Sequence, residues 1–246
     1  MRQVTPDALL GTWEAGLADS RPGARARALL AVACPDRSQS ECLELSVGER
    51  DARLLDLRVA LFGETFAAAA TCPGCGVDLE LKFRAVEVRS GSVPVRPQEV
   101  FERDCGRHSL RFRAPSVADL ERIEQADSLE ERYSRLLAAV ILDARIDGHP
   151  CGTTDLPPAV LGYIESTLEE LEVQVLMDVG VSCAACGHAW AAPFDVASYL
   201  WTELERWAVR TLWEVHALAR AYAWTESVVI QMSPWRRQRY LEMLGT

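Results

Sequence analysis

A chain of 246 residues that is 49% hydrophobic can bury one substantial core or two small ones. Its densest apolar run, 136–142, falls far short of the ~20 residues a membrane span needs. The net charge of −10 speaks against a surface built to bind nucleic-acid phosphates, and Met1–Asp7 does not resemble a signal peptide, so a cytoplasmic, reducing compartment is expected.

The N-terminal third reads as helical. Thr5-Pro6-Asp7 pairs an N-cap with a proline at the first helical position, and Ala8, Leu9, Leu10, Trp13 and Leu17 follow at helical spacing. A second helix near 24–34 is closed by Pro35. Ser46-Val-Gly-Glu49 has the form of a capping box and opens a third, through Leu54, Leu55, Leu57, Val59, Leu61 and Phe62, which Gly63 stops.

Two Cys-x-x-Cys-Gly knuckles then stand out, Cys72-Pro-Gly-Cys75-Gly76 and Cys183-Ala-Ala-Cys186-Gly187. Each sets two thiolates on a tight turn, and together they supply the four soft ligands of a tetrahedral zinc ion, one per chain. The gap is unusual: 107 residues separate Cys75 from Cys183, against roughly 15–20 in a compact zinc ribbon. Both knuckles sit between strand-like runs. Val77–Phe83 alternates after the first; Val173, Val175, Met177 and Val179 alternate before the second, and His188–Phe194 is extended after it. A redox pair would need only Cys72 and Cys75 and should open a helix, and disulfides do not suit a reducing compartment. His188 reads as a neighbour of the site. Cys34, Cys42, Cys105 and Cys151 lack partners at ligand spacing and read as small buried thiols.

Between the knuckles the pattern is mixed. Ser109–Arg113 alternates as a strand, and Pro115-Ser116 opens a short helix through Leu120 and Ile123. Residues 130–145 predict a single amphipathic helix ended by Asp147-Gly148, and 157–170 another. Residues 115–175 carry 13 acids and 4 arginines, a solvated face or a surface for a basic protein.

The C-terminal segment predicts a long helix over 197–224. Leu200, Leu204, Trp207, Thr211, Val215, Leu218 and Tyr222 form its core stripe, while Val209 and Trp213 project roughly opposite. An outward tryptophan is either covered by the last helix or anchors a partner protein. Thr225 and Ser233-Pro234 cap two more short helices, and the second carries Trp235, Tyr240 and the basic cluster Arg236, Arg237 and Arg239. That cluster reads as a solvated face or as a partner for the central acids.

The expected class is α+β. Helical segments 1–63 and 197–246 flank a zinc-ribbon-like β unit, 64–90 with 173–196, and 91–172 form an acidic mixed insertion, the whole reading as one compact unit. No phosphate loop, nucleophile elbow, His-Glu-x-x-His or deaminase frame is present, and His108, His149, His188 and His216 show no ligand spacing, so no enzyme is expected.

Ala70-Thr-Cys-Pro-Gly-Cys-Gly76, Leu110-Arg-Phe-Arg-Ala-Pro-Ser-Val-Ala-Asp-Leu120, Cys183-Ala-Ala-Cys-Gly-His-Ala-Trp-Ala-Ala-Pro-Phe-Asp195, Trp213-Glu-Val-His-Ala-Leu-Ala-Arg-Ala-Tyr222 and Ser233-Pro-Trp-Arg-Arg-Gln-Arg-Tyr-Leu241 together carry a resemblance. The chain resembles, over essentially its whole length, the T-even-phage baseplate protein family in the form found in clusters for phage-tail-like contractile injection systems. The resemblance implies a non-enzymatic protein of baseplate hub assembly, described for the phage relatives as an assembly chaperone. Its partners would be hub or spike subunits. Val209, Trp213, Trp235 and Tyr240 are the expected contact residues. A zinc-ribbon nucleic-acid regulator and a thiol oxidoreductase are the alternative readings.

Overall fold

Side-chain caps set where most helices begin. In the computed structural model, which describes residues 4–89, 99–171 and 177–245, Thr5, Ser38, Ser46, Ser116, Ser128 and Ser233 each accept a hydrogen bond from the backbone N–H three residues on. Each bond satisfies one orphan donor of a first turn. The elements are helical with small antiparallel sheets, a mixed α+β class.

The chain divides into two units, residues 1–35 with 197–246 and residues 36–196. The first boundary falls after Pro35, whereas the sequence reading keeps 1–63 together. The first unit opens with α1 (Pro6–Ala18) and α2 (Pro22–Ala33). The second holds α3 (Gln39–Leu43), α4 (Val47–Phe62), β1 (Thr65–Thr71), β2 (Asp78–Arg84), α5 (Ala85–Val88), β3 (Val100–Cys105) and β4 (His108–Arg113). It continues through α6 (Val117–Ile123), α7 (Leu129–Val140), β5 (Ile141–Ile146), β6 (His149–Pro150), α8 (Pro158–Leu171), β7 (Asp178–Ser182) and β8 (Ala189–Pro193). Helix α9 (Val196–Tyr222) leads back into the first unit, followed by α10 (Glu226–Gln231) and α11 (Pro234–Met243).

In the first unit, the expected stripe of α9 is its buried face: Leu200, Leu204, Thr211, Val215 and Leu218 are buried, and Trp207 and Tyr222 half-buried. Leu10, Ala208, Val215, Leu218, Val229 and Ile230 make one core cluster. The basic cluster of α11 is not a uniform solvated face. Arg237 is only 2% exposed, donating to Glu214 Oε2 at 2.8 Å and to the Met232 carbonyl at 2.9 Å. Its acid therefore comes from α9, not from the central acidic segment.

Trp201 is buried against α1, where a Cβ added to Gly16 would sit 2.2 Å from Cη2 of its ring. Alanine normally gains about 1 kcal/mol over glycine inside a helix. At Gly16 a rigid, buried ring must move, which costs about 1–3 kcal/mol. Gly16→Ala should therefore lower the melting temperature, while Gly11→Ala, with nothing within 4 Å, should raise it. Equal shifts of the same sign in thermal melts would contradict this packing.

In the second unit, β3-β4-β5-β6 form a four-stranded antiparallel sheet. Phe101, Leu110, Phe112, Val140, Ile141, Val160 and Ile164 pack the sheet against α7 and α8. The single helix expected over 130–145 is two elements, α7 and then β5. The apolar run 136–142 fits either period; edge pairing with β4, which buries Ile141 and Ala144, decides for a strand. Strand β3, which the sequence reading passes over, buries only Phe101. Val173 and Val175 lie outside the described residues, whereas Met177 and Val181 are buried. Arg58 connects α4 to the first hairpin: only 2% exposed, it donates to the Gly63 carbonyl at 2.6 Å and places its guanidinium 3.7 Å from the Phe66 ring centroid.

Candidate metal centre and exposed aromatic face

The metal centre is built from two copies of one local structure. Hairpins β1–β2 and β7–β8 pair in registers that coincide after a shift of 111 residues: Thr71 faces Asp78 as Ser182 faces Ala189. Each hairpin turns through its knuckle by the same two hydrogen bonds. The Cys72 N–H donates to the Val77 carbonyl and Gly76 N–H to the Cys72 carbonyl; Cys183 to His188 and Gly187 to Cys183 repeat them, all at 2.8 Å. Gly76 and Gly187 both adopt φ +75°, a left-handed conformation that a side chain would strain. Behind the turns, Phe66 and Phe83 stack with centroids 5.1 Å apart, and Phe194 of the other hairpin meets both edge-on at 5.5 and 5.2 Å.

The knuckles bring Cys72, Cys75, Cys183 and Cys186 into one cluster, with all four sulfurs within 4.8 Å of one another, a group that could hold a metal ion. The short separations run across the hairpins, Cys72 to Cys186 and Cys75 to Cys183, both 3.7 Å. Four sulfurs each about 2.3 Å from a tetrahedral ion would stand about 3.8 Å apart. Cys72 and Cys183 are buried, and Cys75 and Cys186 are exposed at the tips.

The four thiols perturb one another. Amide N–H groups of Cys186 and Ala185 draw the Cys183 thiol down to about 7. The Val77 amide favours the Cys75 thiolate, but Cys186, desolvation, Cys183 and Cys72 outweigh it and push Cys75 up to about 12. Cys186 is also raised: the His188 amide and Cys75 favour its thiolate, while desolvation, Cys72 and Cys183 prevail. Cys183 thus ionises most readily, and crowding of the sulfurs opposes ionisation of Cys75 and Cys186.

His188 is not among the clustered ligands. Its ring stacks on Trp190 at 5.8 Å, and a Cβ on Gly74 would lie 3.1 Å from its Cγ. Gly74 thus lets the first knuckle pass close to the second. A strand, β2, follows Cys75 where a redox motif would open a helix. Cys34 and Cys42 are buried and Cys105 and Cys151 half-buried, none of them in a disulfide.

Within the first unit, the expected contact residues separate into two groups. Trp213 and Trp235 are 69% and 70% exposed, and Val209 is exposed beside Trp213. Tyr240 is instead half-buried, edge-on to Trp224 at 4.9 Å, with Trp224 stacked on Tyr222 at 4.5 Å. It packs against the edge of the core cluster. The sequence reading passed over Arg206, Arg210 and Arg220, exposed on the same side of α9 as Trp213; a helical wheel of α9 would have shown them.

No protein-family model, curated protein or solved structure matches the chain. Among the described residues no helix is long and apolar enough to cross a membrane.

Proposed function

We propose that this chain is a non-enzymatic assembly protein of a contractile phage tail or phage-tail-like injection system, covering a surface of a hub or spike subunit while the baseplate forms. Its support comes from the resemblance and from one observation, the exposure of Trp213 and Trp235 on the C-terminal helices. Indoles left in water at about 70% exposure are costly surface unless a partner buries them, and tryptophan is enriched among residues that dominate binding energy. Val209 extends the patch, and Tyr240 braces α11 from the edge of the core.

In the same reading Cys72, Cys75, Cys183 and Cys186 hold one structural zinc in a zinc-ribbon-like unit, with all four positions filled by protein sulfur. The role of the ion is to clip together hairpins that are distant in sequence. The net charge of −10 weighs against the nucleic-acid alternative.

Trp213→Ala should reduce co-purification with hub or spike subunits by about 30-fold, the effect of losing ~2 kcal/mol at a binding hot spot. Its melting temperature should match the wild type, because the indole buries little within the chain. Undiminished capture of those subunits by the variant would sink the reading.

A further inference from the structure

The exposed face of α9 is chemically one-sided. Its exposed positions include Arg206, Val209, Arg210, Trp213 and Arg220, and none is acidic. At ~100° per residue these five fall within an arc of about 100°, with Arg206, Trp213 and Arg220 at heptad spacing. The acids of the helix, Glu203, Glu205 and Glu214, are half-buried beside the stripe, and Glu214 is held by Arg237.

Among the described residues the three stripe arginines meet no carboxylate, as Arg84, Arg103, Arg132 and Arg236 also do not, whereas Arg237 of α11 is held by Glu214. Three exposed guanidinium groups flanking an exposed indole give the stripe positive charge to offer a partner of opposite sign, in a chain with 36 acids and 26 bases. The charge is also divided between the units. Residues 1–35 and 197–246 hold 10 arginines and 8 acids, and the remaining residues hold 28 acids against 16 bases.

We propose that the occupant of this face is an acidic amphipathic helix of the partner subunit, a proposal that rests on the assembly reading and specifies its contact. From Arg206 to Arg220 the stripe runs about 21 Å, four turns, which matches a helix laid alongside. Its apolar positions take Trp213 and Val209. Its glutamates and aspartates, on the flanks, face the guanidinium groups, whose planar fork suits bidentate carboxylate pairing. A nucleic-acid backbone fits less well. Three cations over that length are sparse against one phosphate charge per ~1.7 Å of duplex, and apolar side chains separate them.

The test co-expresses the intact chain with hub and spike subunits and measures capture, with a photo-crosslinker at position 217 to locate the contacted segment. Combined Arg206→Glu, Arg210→Glu and Arg220→Glu should cut capture by at least ~30-fold with no change in thermal melt, and the matching Gln variants by less. Wild-type capture should fall about tenfold between about 100 and about 400 mM salt. The cross-linked segment should alternate acidic and apolar residues at helical spacing, and reversing its acids to arginine should restore capture by the Glu variant. Capture that ignores charge reversal, or cross-links to a basic segment, to nucleic acid or to a second copy of this chain, would overturn the inference and leave the assembly reading standing. Failure of the wild type to capture any hub or spike subunit would bring down both.

Discussion

If the four-cysteine cluster holds zinc as proposed, removing the ion, by chelation or by Cys183→Ser or Cys72→Ser, is expected to unfold the hairpin pair of the second unit. Two-stranded hairpins are marginal in water, and these are poorly buried: β1 has only Phe66 fully buried, and β2 only Phe83. The two hairpins meet through the Phe66, Phe83 and Phe194 cluster, the approach of Gly74 to His188, and the four-sulfur cluster. A structural zinc contributes about 10–16 kcal/mol of apparent binding free energy, comparable to the whole 5–15 kcal/mol stability of a typical domain. Elemental mass spectrometry should find one zinc per wild-type chain and none in either serine variant. Chelation should lower the melting temperature by more than ~10 °C. Zinc retained when only one knuckle is intact would show the knuckles acting separately and remove the long-range clip.

Asp119→Ala should be strongly destabilising. The carboxylate has no exposed surface and gathers five hydrogen bonds. Arg113 donates at 2.7 and 3.1 Å, the Ser116 N–H at 2.9 Å, the Ser116 hydroxyl at 2.7 Å and Arg122 at 3.1 Å. This capping knot lies beside the crossing where Val47 N–H donates to the Pro115 carbonyl and Val117 N–H to the Leu45 carbonyl, so it fixes the starts of α4 and α6 together. Truncation would strand the mostly buried Arg113 and two donors of Ser116, at a cost of about 3 kcal/mol, or roughly 6–12 °C in melting temperature.

Burial opposes ionisation of Asp119, but the Arg113 hydrogen bonds and the Ser116 amide and hydroxyl overcome it and hold the carboxyl below its ordinary 3.8. A folded-state value below the unfolded one means this stabilisation is complete above about pH 4 and lost as pH falls through the lowered value. Wild type should therefore lose stability on acidification below pH 4 more steeply than Asp119→Asn. Parallel acid titrations of the two melting temperatures would contradict the assignment.

Local chemistry was legible in the residues themselves. Cap residues, the two knuckle turns and the 3.6-residue stripe of α9 each depend on neighbours within a few positions, and they stand where the spacing places them, except that Thr225 precedes α10 without a side-chain capping bond. The four cysteines could be nominated because thiolate chemistry and Cys-x-x-Cys-Gly spacing are local properties as well. Tertiary structure decided the rest. The run 136–142 satisfies helix and strand periods alike, and only hydrogen bonding to β4 resolved it. Which sulfur lies nearest which, Cys72 to Cys186 and Cys75 to Cys183, depends on how two hairpins 111 residues apart meet, which no local pattern encodes. The fates of Arg237, drawn into the core, of Tyr240, half-buried against it, and of Trp213, left in water, likewise followed from where α11 docks on α9, because burial is a property of what packs against a side chain rather than of the side chain itself.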